Sequence, residues 1–209
     1  MKKICILDYG MGNIASLSNA IKKLGYTPEL YSEKEEINSN ILFIPGVGAF
    51  NSAMKMIKQK GYDRLIYSFI EKNDNLLFGI CLGMQILFNS SNENNNTEGL
   101  NLINGEVSKL QSVNKIKLPH VGLNEIKIIN NNKFNFIKNY DKEKFYFVHS
   151  YAIKTLKEKN TLATSTYKDI DFASIVINNN DNIIGTQFHP EKSSKIGLNF
   201  LEDVLKNFN

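Results

Sequence analysis

The fold of this 209-residue chain is decided by residues 76–85, which read LLFGICLGMQ. The apolar first half predicts a buried strand, and the amphipathic run over residues 82–88 predicts a helix directly after it. Cys81 stands at the junction, and Gly79 and Gly83 leave room for a tight turn. This is the arrangement of a nucleophile elbow, in which a helix N-terminus favours the reactive thiolate. The alternative is a small buried core cysteine, and the motif alone leaves both interpretations open.

Outward from this elbow, the first half of the chain alternates apolar and amphipathic runs. Predicted strands cover residues 4–7, 28–31, 41–44 and 76–80, and predicted helices cover residues 13–24, 49–57 and 65–70. This order is typical of a parallel sheet with helices on both faces.

After residue 96 the pattern changes to short apolar runs with few helices between them. Strands are predicted at residues 105–110, 125–129, 145–148, 161–166, 173–177 and 183–188, and a final helix at 196–208. Asparagine-rich tracts are interpreted as solvated loop tips; they lie at residues 92–96, 130–132 and 178–182. The last tract, between two apolar runs, also predicts a hairpin. We therefore predict one α/β domain over residues 1–209, an open mixed sheet with an antiparallel extension in its second half.

Composition excludes several functional classes. The net charge is +4, but the only arginine is Arg64 and the lysines are scattered, which argues against a nucleic-acid partner. Of the two cysteines, Cys5 lies inside the first apolar run, so a reduced cytoplasmic protein is expected rather than a disulfide-bonded one. No secretion signal follows the first residues, and no apolar run approaches the length of a membrane span.

His189 has the most informative surroundings of the three histidines, because it belongs to QFHPE at residues 187–191. Proline constrains the backbone, and residues two apart in an extended chain project to the same side, so Glu191 can hold the imidazole in one tautomer. At the carboxyl edge of an open sheet this pair would meet Cys81. A surface His–Glu pair is the alternative, but a candidate nucleophile on another strand end favours catalysis.

A third element is the glycine-rich turn PGVGAF at residues 45–50. Its backbone N–H groups could stabilise an oxyanion. Phosphate binding is less consistent with the turn, because no Lys-Ser/Thr pair follows as in a P-loop. A purely structural turn is the remaining alternative.

Together these segments resemble the class I glutamine amidotransferases, through FGICLGMQ at residues 78–85 and QFHPE at residues 187–191. Four further segments are similar to the glutaminase subunit of imidazole glycerol phosphate synthase. They are DYGMGN (8–13), PGVGAF (45–50), PHVGLN (119–124) and YFVHSY (146–151). The resemblance covers the whole chain in order.

The resemblance implies hydrolysis of L-glutamine by a Cys81, His189 and Glu191 triad through a glutamyl thioester, with no metal or organic cofactor. The implied oxyanion donors are the backbone of Leu82 and the Val47–Gly48 turn, and a rotating peptide in that turn is expected to switch activity. The residues that the resemblance implies for glutamine binding are Gly48, Gln85, Ser150 and Tyr151.

The resemblance also implies a separate (β/α)₈ cyclase subunit, bound as a heterodimer, which uses the ammonia in histidine biosynthesis. His120, Leu123 and Asn124 are the implied interface residues, and Leu123 stands where a bulky aromatic residue is usual. His149 has either a structural or a direct role. The alternatives are a paralogous subunit feeding a nucleotide-sugar pathway, a stand-alone cysteine hydrolase, and a non-catalytic subunit, against which the intact triad argues.

Overall fold

The computed structural model describes residues 3–31, 37–72, 74–112, 116–130, 134–154 and 160–208. The α-helices are α1 (Ile14–Lys23), α2 (Phe50–Gln59), α3 (Tyr62–Ile70), α4 (Leu82–Gln85) and α5 (Ser194–Asn207). The first strands are β1 (Lys3–Leu7), β2 (Thr27–Tyr31), β3 (Ile41–Gly46), β4 (Leu76–Cys81), β5 (Phe88–Ser91), β6 (Thr97–Glu98) and β7 (Ile103–Lys109). The others are β8 (His120–Glu125), β9 (Lys127–Ile128), β10 (Lys144–His149), β11 (Tyr151–Ile153), β12 (Thr161–Tyr167), β13 (Ile170–Ile177) and β14 (Ile183–Thr186). Short 3-10 helices lie at Asn135–Tyr140 and Pro190–Lys192.

An eight-stranded sheet forms the centre of the molecule, in the order β2-β1-β3-β4-β14-β13-β12-β9. The pairs from β2 to β14 are parallel, and those from β14 to β9 are antiparallel. The predicted mixed sheet with an antiparallel extension is therefore confirmed, as is the hairpin between β13 and β14. Among the described residues, no helix has the length and apolar character needed to cross a membrane.

Helices cover both faces of this sheet. α1 and α5 contribute Ile21 and Phe200 to the core on one face, and α2 and α3 contribute Met54 and Ile66 to the core on the other. Every residue of β3 and β4 is buried, which explains why these strands are continuous apolar runs in the sequence. Each fully buried Leu, Ile or Phe side chain stabilises the fold by about 1.5–3 kcal/mol.

The residues that cap helix α1 explain where it begins and ends. The Asn13 side chain accepts a hydrogen bond from the Ser16 N–H at 3.2 Å and caps the helix. The helix is followed by Gly25, whose φ of +84° lies in the left-handed region that glycine favours. The predicted helix over residues 13–24 is therefore confirmed to within one residue at each end.

Two predictions were wrong in detail. The helix after Cys81 is a single turn, Leu82–Gln85, because Phe88 already belongs to β5. Of the strand predicted at residues 125–129, only Lys127–Ile128 form a separate strand, β9, and Glu125 is the last residue of β8. β8 was missed because Val121 and Leu123 project outward, with 56% and 65% exposure, so its apolar residues do not mark a buried face.

Two small sheets lie beside the central one, and they combine the predicted strands β7 and β10 with β5, β6, β8 and β11, which the sequence did not predict. β8 pairs with β10, and the other sheet has the order β11-β7-β5-β6. The loop-tip interpretation holds for the middle of the tract at residues 178–182, where Asn179 and Asn180 are exposed. It fails at the two ends, because Asn178 and Asn182 are each 8% exposed and hydrogen-bonded to one another. Residues 131 and 132 of the second tract lie outside the described residues.

Candidate active site

Three strand ends meet at the carboxyl edge of the central sheet. β3 ends at Gly46, which is opposite Cys81 at the end of β4. On the other side of β4, Thr186 at the end of β14 is opposite Ile80. The register therefore places the glycine-rich turn on one side of Cys81 and the QFHPE segment on the other. The sequence predicted that QFHPE would meet Cys81 at this edge but not this order.

Cys81 has the backbone geometry of an elbow. Its φ is +53°, a left-handed conformation that costs a non-glycine residue about 1–3 kcal/mol. Close packing of α4 against β3 holds it there, since a Cβ atom on Gly83 would lie 1.7 Å from the Ile44 carbonyl oxygen. The side chain is 5% exposed at the wall of a cavity. A strained, partly accessible thiol is better explained by reactivity than by core packing.

His189 and Glu191 form the expected pair, with 2.8 Å between His189 Nδ1 and Glu191 Oε1. The His189 backbone is held on both sides: its N–H donates to the Tyr146 carbonyl, and its carbonyl accepts from the Ser193 hydroxyl. Both side chains of the pair are at most 2% exposed. Glu191 thereby holds the imidazole so that Nε2 is left for other chemistry.

The electrostatics of His189 favour an imidazolium. Burial alone would lower its pKa, but attraction to Cys81 and the hydrogen bond and charge of Glu191 outweigh burial and raise the pKa to about 10. Nε2 makes no well-aligned hydrogen bond among the described residues, although the Cys81 side chain is close enough to raise this pKa. A buried charged imidazole beside a thiol stabilises the thiolate.

The glycine-rich turn adopts a conformation in which one expected oxyanion donor is already in use. The Val47 N–H donates to the Met11 carbonyl at 3.3 Å, which joins the turn to the DYGMGN segment. Gly48 has a φ of +111°, which strongly favours glycine. The Val47 N–H therefore has to break this bond before it can bind an oxyanion.

A cavity of about 440 Å³ opens at this edge of the sheet. Seven of the residues predicted for the site line it: Val47, Gly48, Cys81, Leu82, Gln85, Ser150 and Tyr151. His189 and Glu191 do not line the cavity; they are buried, and His189 is close enough to Cys81 for its pKa to respond to the thiol. Among the described residues, no group of three or more His, Cys, Asp or Glu side chains is arranged to hold a metal ion.

Glu93 is a cavity residue that sequence reasoning missed. One of its carboxylate oxygens accepts the Phe50 N–H at 2.8 Å, so Glu93 is held at the N-terminus of α2. It lies in the tract at residues 92–96, where the four asparagines are exposed as a solvated loop tip predicts and only Glu93 is half-buried. Its one signal in the sequence is a single carboxylate within a run of asparagines.

Gln85 is held by two acceptors. Its Nε2 donates to the Tyr151 carbonyl at 2.9 Å and to Gln187 Oε1 at 3.0 Å. Both amide hydrogens are used in this way, so Oε1 is the Gln85 atom left for a ligand. Gln85 can therefore act in the cavity as a hydrogen-bond acceptor.

The other two histidines form a neutral, ordered pair. His149 Nδ1 lies 2.9 Å from the Tyr151 carbonyl, which only accepts, so Nδ1 carries the proton. His149 Nε2 then accepts from His120 Nδ1 at 3.0 Å, and His120 Nε2 is left to accept from Asn124. Burial lowers the pKa of His120 to about 4. The pKa of His149 is lowered to about 3, chiefly by burial and also by repulsion from the other two histidines.

The predicted interface residues differ in how far they reach the surface. His120 is only 3% exposed and lies behind the surface, whereas Asn124 is half-buried and donates to the Thr166 carbonyl. Leu123 is the one of the three that is largely exposed. His149 lines the cavity, but both of its ring nitrogens are used within the protein, which favours the structural role for it.

Comparisons with known proteins agree with this geometry. A family model described as glutamine amidotransferase class-I matches residues 5–208. The chain is 41% identical to the imidazole glycerol phosphate synthase subunit HisH 2 of Methanococcus maripaludis, over 97% of this chain and 98% of that protein. It is 43% identical to the subunit HisH of Methanosarcina barkeri, over 100% and 98%. A solved structure described as a glutamine amidotransferase has a TM-score of 0.73 at 16% identity, covering 98% and 99% of the two chains, a likeness of fold alone.

The match over residues 5–208 and the shared fold define the class of protein as a class I glutamine amidotransferase. At 41% and 43% identity over nearly their full lengths, the chain belongs to the family of HisH subunits of imidazole glycerol phosphate synthase. The family resemblance derived from the motifs is thereby confirmed.

Proposed function

We propose that this protein is a cytoplasmic glutaminase that hydrolyses L-glutamine and passes the ammonia to a separate cyclase subunit in histidine biosynthesis. The observation that carries the proposal is the strained Cys81 elbow, which lines the cavity and interacts with the buried His189–Glu191 pair. A volume of about 440 Å³ is ample for one amino acid. The assignment to histidine biosynthesis is supported by relatives named as subunits of imidazole glycerol phosphate synthase.

In the first half of the reaction the Cys81 thiolate attacks the side-chain carbonyl carbon of glutamine. The carbonyl electrons move to oxygen and form a tetrahedral oxyanion. His189 then gives its Nε2 proton to the amide nitrogen, the C–N bond breaks, and ammonia leaves a glutamyl thioester on Cys81. Glu191 keeps Nε2 directed at the reaction because it binds Nδ1.

The second half regenerates the enzyme. Neutral His189 takes a proton from water, and the resulting hydroxide attacks the thioester carbonyl. The C–S bond breaks, glutamate leaves, and Cys81 is again a thiolate beside a protonated His189. One water molecule is consumed for each ammonia and glutamate produced, and the new γ-carboxyl group of glutamate loses its proton to solvent, so atoms and charge balance.

Charge complementarity indicates how the substrate lies in the cavity. The α-ammonium of glutamine needs acceptors, and the Glu93 carboxylate and Gln85 Oε1 provide them. Ser150 and Tyr151, the residues just before and at the start of β11, also line the cavity, and we assign the α-carboxylate to them. The amino-acid end is thereby held away from the carboxamide that Cys81 attacks.

Activation of the oxyanion site requires a change at the turn. The Leu82 N–H lies at the start of α4, directly after Cys81. The second donor, Val47, is bonded to Met11, and rotating this peptide breaks one hydrogen bond worth about 0.5–1.5 kcal/mol net. Such a small difference suits a switch that a docked partner can operate. We infer that the resting subunit is slow and that the loaded cyclase releases Val47.

The cyclase is expected to dock around the mouth of the cavity as a (β/α)₈ partner in a heterodimer. Val47, Val121 and Leu123 are exposed apolar side chains, and Val47 itself lines the cavity. Ammonia is mostly protonated in neutral water and is then not a nucleophile, so a closed path to the acceptor has a chemical purpose. An apolar surface around the exit would exclude water from that path.

Glutamine hydrolysis with and without the histidine-pathway cyclase tests the function. We expect glutamate release to be slow for the subunit alone and to rise about 100-fold or more when the cyclase and its nucleotide substrate are both present. The cyclase without nucleotide is the control. Turnover that ignores this cyclase would favour the nucleotide-sugar paralog. Cleavage of esters or peptides but not glutamine would favour a stand-alone hydrolase.

The raised pKa of His189 predicts the alkaline limit of the reaction. His189 must be protonated to release ammonia, so kcat/KM should stay level through neutral pH and fall only as pH approaches about 10. Glu191→Gln removes a charge that raises this pKa, so the alkaline limb should move to lower pH. The profile is measured as kcat/KM against pH for both proteins in the loaded complex. Identical alkaline limbs would contradict the assigned role of Glu191.

A further inference from the structure

Gln187 is a completely buried amide immediately beside Cys81. It follows β14 by one residue, and the register of β14 with β4 places it next to the elbow. Its Nε2 lies 3.6 Å from Cys81 Sγ, within the range of an N–H···S hydrogen bond, and its Oε1 accepts from Gln85 Nε2 at 3.0 Å. None of the steps of glutamine hydrolysis described for Cys81, His189 and Glu191 uses Gln187.

The orientation of the Gln187 amide is determined by a backbone carbonyl two hydrogen bonds away. The Tyr151 carbonyl can only accept, so the Gln85 atom facing it must be the NH₂ group. The same NH₂ group faces Gln187, whose nearer atom must then be the oxygen. The Gln187 NH₂ group is therefore directed at Cys81, because reversing either amide would set two donors or two acceptors against each other.

The Tyr151 carbonyl is in turn held by the ordered histidine pair. It also accepts from His149 Nδ1 at 2.9 Å, so both of its lone pairs are used. This leaves no acceptor there that could reorient Gln85. The chain of hydrogen bonds has one direction, ending with an N–H group at the reactive sulfur.

The environment of Cys81 differs for its two protonation states. The Val148 carbonyl lies 3.9 Å from Sγ and can accept from the thiol. Gln187 donates toward the sulfur and so favours the thiolate, which accepts hydrogen bonds more strongly than a thiol. Helix α4 is a single turn, so its dipole adds little, and the fixed donor matters more.

We propose that Gln187 is a positioning residue that holds the Cys81 side chain in its thiolate form and aligned for attack. The proposal rests on the proposed function in taking Cys81 as the nucleophile. Gln187 acts through Cys81 and does not contact glutamine. Its role is separate from that of His189, since a neutral amide supplies a fixed donor and no proton.

Alkylation of Cys81 by iodoacetamide at a series of pH values tests this in the full-length protein. The rate, read at Cys81 by mass spectrometry, follows the thiolate fraction. Gln187→Met removes the amide at similar volume, and Gln187→Glu keeps an acceptor for Gln85 but has no N–H. We expect both variants to react about tenfold or more slowly at pH 7, with the midpoint of the rate curve at higher pH. Thr186→Val, an isosteric change at the neighbouring buried residue, should leave the curve unchanged.

Overlapping curves for folded Gln187→Met and the unmodified protein would overturn the proposal. If neither Gln187 variant folds, Gln85→Leu removes the donor that orients Gln187, and the proposal then requires slower alkylation in that variant. An unchanged curve there would overturn it equally. The readout needs neither glutamine nor partner. A shifted curve in a protein that shows no glutaminase activity even with the loaded cyclase would therefore contradict the proposed function and leave the effect of Gln187 on Cys81 intact.

Discussion

Replacing Cys81 with alanine is expected to lower partner-stimulated glutamine hydrolysis by about 10⁴-fold or more, because no other group can form the thioester. Cys81 is the cysteine on the strained elbow at the cavity wall. Glutamate release in the complex measures the loss. With ammonium salt in place of glutamine, the cyclase should still make its product, which shows that the variant subunit has not disturbed its partner.

Cys5→Ala is the matched control for this experiment. Cys5 is also buried and free, but it lies in β1 within the core, and burial with a smaller effect of Glu29 raises its pKa to about 12. We expect near-normal glutamine hydrolysis from Cys5→Ala. If Cys81→Ala kept more than about one hundredth of the activity, covalent catalysis by Cys81 would be wrong.

Replacing Leu123 with aspartate is expected to weaken cyclase binding by about 100-fold, the effect of losing an interface hot spot. Leu123 is 65% exposed and projects from the same side of β8 as Val121, two residues away. A carboxylate there would have to lose its hydration without a partner charge. Titration calorimetry with the purified cyclase measures the change, and a thermal unfolding curve verifies that the variant is folded.

Leu30→Asp makes the same chemical change at a comparably exposed leucine elsewhere. Leu30 is 47% exposed on β2, which is the edge strand of the central sheet. Unchanged affinity is expected for this control. If both substitutions weakened cyclase binding equally, or if neither weakened it, the assignment of the Leu123 face as the interface would be contradicted.

The parts of the site that sequence reasoning predicted are those set by short-range geometry. Cys81 between a strand and a tight turn, and His189 two residues from Glu191, are local arrangements, and the structure has both. The sheet was also predictable, because buried parallel strands are continuous apolar runs and covering helices have amphipathic periodicity.

The parts that were missed depend on contacts between distant segments. Glu93 is 43 residues from its partner Phe50, and Gln85 is 102 residues from Gln187. Nothing in the tract at residues 92–96 indicates that one carboxylate faces a cavity. β8 was missed because its apolar residues Val121 and Leu123 are exposed, which reverses the usual rule that apolar residues face inward.

The sequence by itself determined the elbow, the His–Glu pair, the glycine-rich turn and the family, because each follows from residue type at short spacing along the chain. Only the tertiary structure decided what surrounds Cys81: the Val47 N–H bonded to Met11, the cavity wall with Glu93, and the Gln187 amide directed at the sulfur. The physical reason is that hydrogen-bond direction depends on which donors and acceptors the strand register brings together. That register joins segments far apart in the chain, so it does not follow from residue type at short spacing.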